Sequence, residues 1–237
     1  MGTVRAAAHV FVDDLDAPAL SSDDGHHLSR VLRLRAGEVV TASDGAGRWR
    51  ACSFADGGVL RVTGDVVVEP APAPSITVGF ALTKGERPEW TVQKLTELGV
   101  DRIVPLAAAR SVVRLEGDRA AAQHRRWQKV AREAAMQSRR VWLPAVEPLT
   151  AVATVLGQPG VAVAEAGGGP PGLEWPTVLV GPEGGWSEEE LAAADGANAP
   201  RVDLGPTVLR AETAAITVAA LLCGMRTGIV RANSAKG

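Results

Sequence analysis

The feature that most constrains this chain is a break in its own texture. In Glu69-Pro70-Ala71-Pro72-Ala73-Pro74 three prolines occupy alternate positions. Each locks φ and removes a backbone donor, so neither a helix nor a central strand runs through the segment, and an extended linker results. The break predicts two domains, 1–69 and 75–231, with a linker at 70–74 and a flexible tail at 232–237. With 46% of 237 residues hydrophobic, there is enough apolar material for a core in each.

Before the break, Ala8–Val12, Glu38–Ser43, Arg48–Phe54 and Val59–Val68 are short runs rich in β-branched or aromatic residues. Asp44-Gly45 and Asp56-Gly57-Gly58 supply turns between them, and a helical insert spans His26–Arg35. This predicts a small β-barrel. After the break, buried-strand runs at Ile76–Leu82, Arg102–Leu106, Val161–Glu165 and Thr177–Val180 alternate with helices at Pro88–Leu98, Asp118–Arg139, Ser187–Ala194 and Ala211–Arg226. That alternation predicts an α/β domain with a parallel sheet. The run Gly167–Gly172 reads as a mobile loop.

A net charge of −2 excludes a protein that coats nucleic acid by bulk attraction. Its distribution is uneven. Between Arg110 and Arg140 nine Lys or Arg residues stand against three acids, an excess of +6, which leaves −8 for the remainder. Arg125, Lys129, Arg132 and Arg139 recur at helical spacing along one face, which suits a phosphate backbone, with a solvated helix face as the lesser alternative. The longest largely apolar stretch, Ala214–Cys223, is too short for a membrane span, and no signal-peptide core opens the chain, so no membrane partner and a cytoplasmic location are expected. Cys52 and Cys223 cannot form a thiolate zinc site, and the four histidines lack ligand spacing; no metal is expected.

Three segments could carry chemistry. Thr177–Val180 runs into Gly181-Pro182-Glu183-Gly184-Gly185-Trp186 and then Ser187-Glu188-Glu189-Glu190, a strand, a glycine loop and a capping box opening a helix. It is a tight turn or a ligand loop at the carboxyl end of a parallel strand. No nucleotide-binding glycine fingerprint and no G-x-S-x-G elbow is present. Leu204-Gly205 leads through Leu209-Arg210-Ala211-Glu212 into the last helix, where Arg210 and Glu212 interrupt an apolar neighbourhood, as a structural pair or facing a cleft. Lys84 and Arg87 crowd the end of the first strand after the linker.

Taken together, Gly181–Ser187, Leu204–Ala214, and Lys84-Gly85-Glu86-Arg87 ahead of Gln93–Gly99 resemble the bacterial small-subunit ribosomal RNA uridine-N3 methyltransferases of the SPOUT superfamily. His26-His27-Leu28 through Arg33, and Arg126-Trp127 through Glu133-Ala134, Gln137 and Arg140, extend the resemblance over nearly the whole chain. One departure stands at the start. Family members often place an Arg immediately before the first aromatic strand, whereas here His9 precedes Val10-Phe11-Val12; Arg5 stays unassigned.

The resemblance implies a PUA-like barrel followed by a SPOUT-type parallel sheet with a carboxyl-terminal trefoil knot. It implies S-adenosyl-L-methionine as cofactor, held by Ala164, Glu165, Leu179, Gly181, Pro182, Glu183, Gly184, Gly185, Leu204, Gly205, Leu209 and Arg210, with Arg210 and Glu212 as catalytic residues. His26, Arg30, Arg33, Lys84, Arg87, Arg125, Lys129 and Arg132 would position RNA. The implied substrate is a uridine of 16S rRNA in the small ribosomal subunit, and the implied assembly is a homodimer. Methylation of ribose or guanine by a related enzyme, and a noncatalytic RNA-binding module, are the alternatives.

Overall fold

The computed structural model describes residues 6–55 and 57–231. Arg5, Asp56 of the expected turn and the tail at 232–237 lie outside these residues. The chain forms two compact units. One takes residues up to Ala71 together with Arg132–Leu143; the other takes Pro72–Ala131 and the residues from Pro144 onward. Residues 132–143 were expected in the second domain, and the structure corrects this. Val141 is the reason: its carbonyl accepts the Ser43 hydroxyl at 3.0 Å and the Gly47 N–H at 3.2 Å.

In the first unit β1 (Ala8–Phe11) pairs in parallel with β2 (Val39–Ser43), and β3 (Arg48–Ala55) runs antiparallel to β2, β4 (Val59–Val62) and β5 (Val67–Val68). Among the described residues the ladder runs β1-β2-β3-β4, with β5 also beside β3. The expected single strand Val59–Val68 is two strands, because the N–H groups of Thr63 and Gly64 both donate to the Ala51 carbonyl and turn the chain. The helical insert also starts earlier than expected. Ser21 caps the Asp24 N–H at 3.1 Å, so α1 covers Ser22–His26 and a single π turn covers His27–Val31. Val10, Leu28, Val40, Cys52 and Phe54 fill this unit's core.

The second unit contains β6 (Thr77–Ala81), α2 (Arg87–Leu98), β7 (Arg102–Ala107), the first part of α3 (Gly117–Gln137), β8 (Ala145–Val146), β9 (Thr150–Ala151) and α4 (Val152–Leu156). It continues with β10 (Val161–Gly169), β11 (Thr177–Val180), α5 (Glu188–Gly196), β12 (Arg201–Val202) and α6 (Ala211–Arg226). All its pairings are parallel, in the order β12-β10-β11-β6-β7-β8, with β9 also beside β7. Strand alternation sorts the core onto two faces. Val78, Phe80, Val178 and Val180 pack with Val92 and Leu95 of α2 and Val218 and Leu222 of α6. Val104, Leu106, Val163 and Leu179 pack with Val155 of α4 and Ala194 of α5. Each such aliphatic side chain contributes about 2 kcal/mol by leaving water.

Two details set up the site. The glycine run expected as a mobile loop is partly strand: β10 continues to Gly169, and a β-carbon at Gly168 would lie 2.5 Å from the Arg201 backbone, so only glycine lets the strands approach there. The chain order also reverses between β6 and β11. β7 and β8 continue on one side of β6, while β10, β11 and β12 lie on the other, and ligands of open parallel sheets collect beyond the carboxyl ends of strands at such a reversal.

Candidate active site

A cleft of about 570 Å³ opens at that reversal, lined by Thr83, Lys84 and Arg87 after β6, Arg110 after β7, Pro182, Glu183 and Gly184 after β11, and Leu209 and Arg210 before α6. Three of these segments are joined by one side chain. Arg87, at the start of α2, donates from Nη1 to Glu183 Oε1 at 3.0 Å, and its Nε lies 3.7 Å from Glu212 Oε1 in the first turn of α6. Arg110 donates to the Gly184 carbonyl at 3.1 Å, holding the same glycine loop from the β7 side. The cleft therefore carries four cations against Glu183, and Arg87 is compensated by its partners, which leaves Lys84, Arg110 and Arg210 as excess positive charge toward a ligand.

The glycine loop has its own support. Ser187 caps α5 in a reciprocal capping box with Glu190, at 3.1 and 2.9 Å, as its sequence spacing predicts. The buried Trp186 donates from Nε1 to the Ala164 carbonyl at 3.1 Å, tying this loop to β10. Its indole fills the space beside Gly181, where a β-carbon would lie 2.9 Å away. Arg210 is the N-cap residue of α6 and its side chain is exposed. Glu212 is 8% exposed, and its Oε2 has no hydrogen-bond partner. Buried polar atoms ordinarily have a hydrogen-bond partner, and Glu89 Oε2 is another that lacks one.

Comparison with known proteins fixes the family. The family model described as "RNA methyltransferase domain" matches residues 69–223, and that described as "RNA methyltransferase PUA domain" matches residues 20–58. A Mycobacterium bovis protein named Ribosomal RNA small subunit methyltransferase E is 35% identical over 221 residues, covering 83% of this chain and 82% of the relative. The chain belongs to the ribosomal RNA small subunit methyltransferase E family. Two solved structures share its fold. A methyltransferase from Legionella pneumophila in complex with the cofactor SAM is 26% identical, with a TM-score of 0.80 over 95% of this chain and 98% of that one. Ribosomal RNA small subunit methyltransferase E from Neisseria gonorrhoeae, bound to S-adenosyl methionine, is 27% identical, with a TM-score of 0.75 over 93% and 97%.

Within this methyltransferase E family member, the residues expected at the cofactor site divide into two groups. Pro182, Glu183, Gly184, Leu209 and Arg210 line the cleft; Ala164, Glu165, Gly181, Gly185, Leu204 and Gly205 stand outside its lining. Leu179 is fully buried in the core beneath the sheet, so its side chain cannot meet a ligand. The Glu165 carboxylate is held by Arg201 at 2.6 Å. Of the expected RNA contacts, His26, Arg30 and Arg33 are exposed in the first unit, and Lys84, Arg125 and Lys129 are exposed in the second. Two others are already paired: Arg87 with Glu183 and Glu212, and the half-buried Arg132 with the Asp24 carboxylate. Arg110 and Trp186 carried no separate signal in the sequence: one was counted only within the basic run, the other only as the end of a glycine loop.

Proposed function

We propose that this chain methylates N3 of a uridine in 16S rRNA of the small ribosomal subunit, with S-adenosyl-L-methionine as the methyl donor. The observation that carries the reading is the meeting of Arg210, the Pro182–Gly184 loop and Lys84 in one cleft at the sheet's reversal, in a family whose members are named for this rRNA and crystallise with this cofactor. The loops fit such a group. A β-carbon at Gly167, Gly185 or Gly205 would meet nothing within 4 Å, and all three adopt positive φ, so a ligand could approach the backbone of these loops closely. Gly181–Gly185 and Leu204–Arg210 would hold the cofactor, with the Ala164–Glu165 backbone as a third wall. A trefoil knot threading these loops, a homodimeric assembly and a cytoplasmic location belong to the same proposal.

S-adenosylmethionine supplies an electrophilic methyl group on a sulfonium. The protein's share is geometry and charge. Uracil N3 must lose its proton while negative charge spreads onto O2 and O4, and Arg210, with a permanent cation at the cleft, is the residue that stabilises that charge. Glu212, whose buried Oε2 is without a hydrogen-bond partner, would accept the proton or orient Arg210. Neither cysteine takes part: Cys52 and Cys223 are buried, and burial raises the Cys52 thiol against a smaller opposing effect of Arg50. That favours nitrogen over ring carbon, because uracil C5 methylation ordinarily needs a thiolate nucleophile. Lys84, Arg125 and Lys129, with His26, Arg30 and Arg33, would hold the RNA backbone.

The test is to incubate the protein with labelled S-adenosylmethionine and small ribosomal subunits, then to identify the labelled nucleoside by mass spectrometry. The expected product is 3-methyluridine. Label on a ribose or a guanine would transfer the reading to a related enzyme class, and RNA binding without label would reduce it to a binding module.

A further inference from the structure

Asp203, one residue beyond β12, uses both carboxylate oxygens on two different loops. Oδ2 accepts the Gly167 N–H at 2.8 Å and Oδ1 accepts the Gly205 N–H at 2.9 Å, while its own N–H donates to the Gly169 carbonyl at 2.7 Å. Gly167 lies near the end of β10 and Gly205 opens the segment that ends at Arg210. Both glycines have positive φ, +81° and +132°, and open space where a side chain would stand. Such residues have the widest backbone freedom of any in the chain, so a loop built on them keeps one geometry only if something outside it holds the amides. From Gly205 to Val208 the chain is exposed, Val208 fully so; the Asp203 carboxylate is the anchor at the amino-terminal end of this segment.

We propose that Asp203 is a positioning residue of the cofactor site, fixing the spacing of the β10 and β12 loops and so pre-forming the walls between which S-adenosylmethionine binds. The inference rests on the methyltransferase reading above. Hydrogen bonds from amides to an ionised carboxylate are the stronger kind, and paying the ordering cost before the ligand arrives raises affinity. The Gly205, Gly167 and Leu204 amides hold the Asp203 carboxyl below the usual carboxylate range, outweighing the opposing effect of burial. The charged groups on neighbouring elements satisfy one another: Arg201 pairs with Glu165 of β10 at 2.6 Å and with Asp195 of α5 at 2.9 Å.

The experiment compares the wild type with Asp203→Ala and Asp203→Asn in three readouts: calorimetric binding of S-adenosylhomocysteine, the split between KM for the cofactor and kcat, and hydrogen exchange at the Gly167 and Gly205 amides. The alanine variant is expected to bind roughly tenfold or more weakly and to raise KM by a similar factor, with kcat moved much less and both amides losing protection. Asparagine, which keeps one acceptor, restores part of the affinity and serves should the alanine variant not fold. Wild-type affinity and KM in a folded variant would overturn the role of Asp203 alone. A wild-type protein that binds no S-adenosylhomocysteine would overturn the cofactor reading together with it.

Discussion

Arg132 donates from Nη1 and Nη2 to the two carboxylate oxygens of Asp24, at 2.9 and 2.6 Å. Nη2 also reaches the Phe11 carbonyl at 3.2 Å, and the guanidinium carbon stands 5.8 Å from the centre of the Phe11 ring. Burial alone would raise the Asp24 carboxyl, but hydrogen bonds from Arg132 and Ser21 outweigh it and hold it below the usual range. A half-buried arginine of the basic stripe is thus tied into the first unit. Arg132→Met is expected to destabilise that unit by about 3 kcal/mol, because it strands a buried carboxylate. Urea unfolding measures this, and adding Asp24→Leu to the same chain should recover most of the loss.

Removing Arg132 from the stripe sharpens the RNA prediction. Arg125 and Lys129 are exposed on α3, and reversing both charges should weaken RNA binding and reduce the slope of log affinity against log salt by about 1 to 2. Binding titrations at several salt concentrations give the slope. The same slope in variant and wild type would count against direct phosphate contact.

At the cleft, Arg210→Ala should lower the single-turnover methylation rate on the order of a hundredfold while changing cofactor affinity far less, since the charge it meets develops only during transfer. Rapid quench with labelled cofactor, beside calorimetry, separates the two effects. An unchanged rate in a folded variant would remove Arg210 from the chemistry.

His9 gives the first unit an acid-sensitive element. It is 3% exposed, its Nδ1 lies 2.8 Å from the Thr41 hydroxyl, and burial lowers its pKa from 6.5 to about 4; a backbone contact with Arg140 opposes the shift and the Arg139 charge adds to it. The depressed value means the unfolded chain takes up a proton that the folded chain refuses. Stability should therefore fall as pH drops from about 6.5 towards 4, by an amount on the order of 3 kcal/mol. Asp24 acts in a separate window below about 3.8. Urea midpoints between pH 7 and 4.5, with the His9 ring followed by NMR, check this; a ring titrating near 6.5 in the folded protein would contradict it.

What could be read from sequence was whatever depends on neighbours along the chain. Ala211–Arg226 and the Ser187 capping box follow from local periodicity and cap chemistry, and the glycine loop follows from a strand running into Gly181. What could not be read depends on distant partners. The burial of the Leu179 side chain, the pairing of Arg87 with Glu183 and Glu212, and the approach of Arg201 to within 2.5 Å of where a side chain at Gly168 would begin all depend on residues far away in the chain. Asp203 has no signal in the sequence, because a carboxylate spanning two loops leaves no periodic trace.

The membership of Arg132–Leu143 in the first unit has a consequence for synthesis. A chain emerging amino terminus first cannot complete that unit when Ala71 is made; Ser43, Gly45 and Gly47 wait for partners at Val141 and Leu143, by which time β6, α2 and β7 have already been translated. The earlier element of the polypeptide thus finishes folding only after much of the later one exists, and an expression fragment cut at the proline linker would omit the segment that closes it.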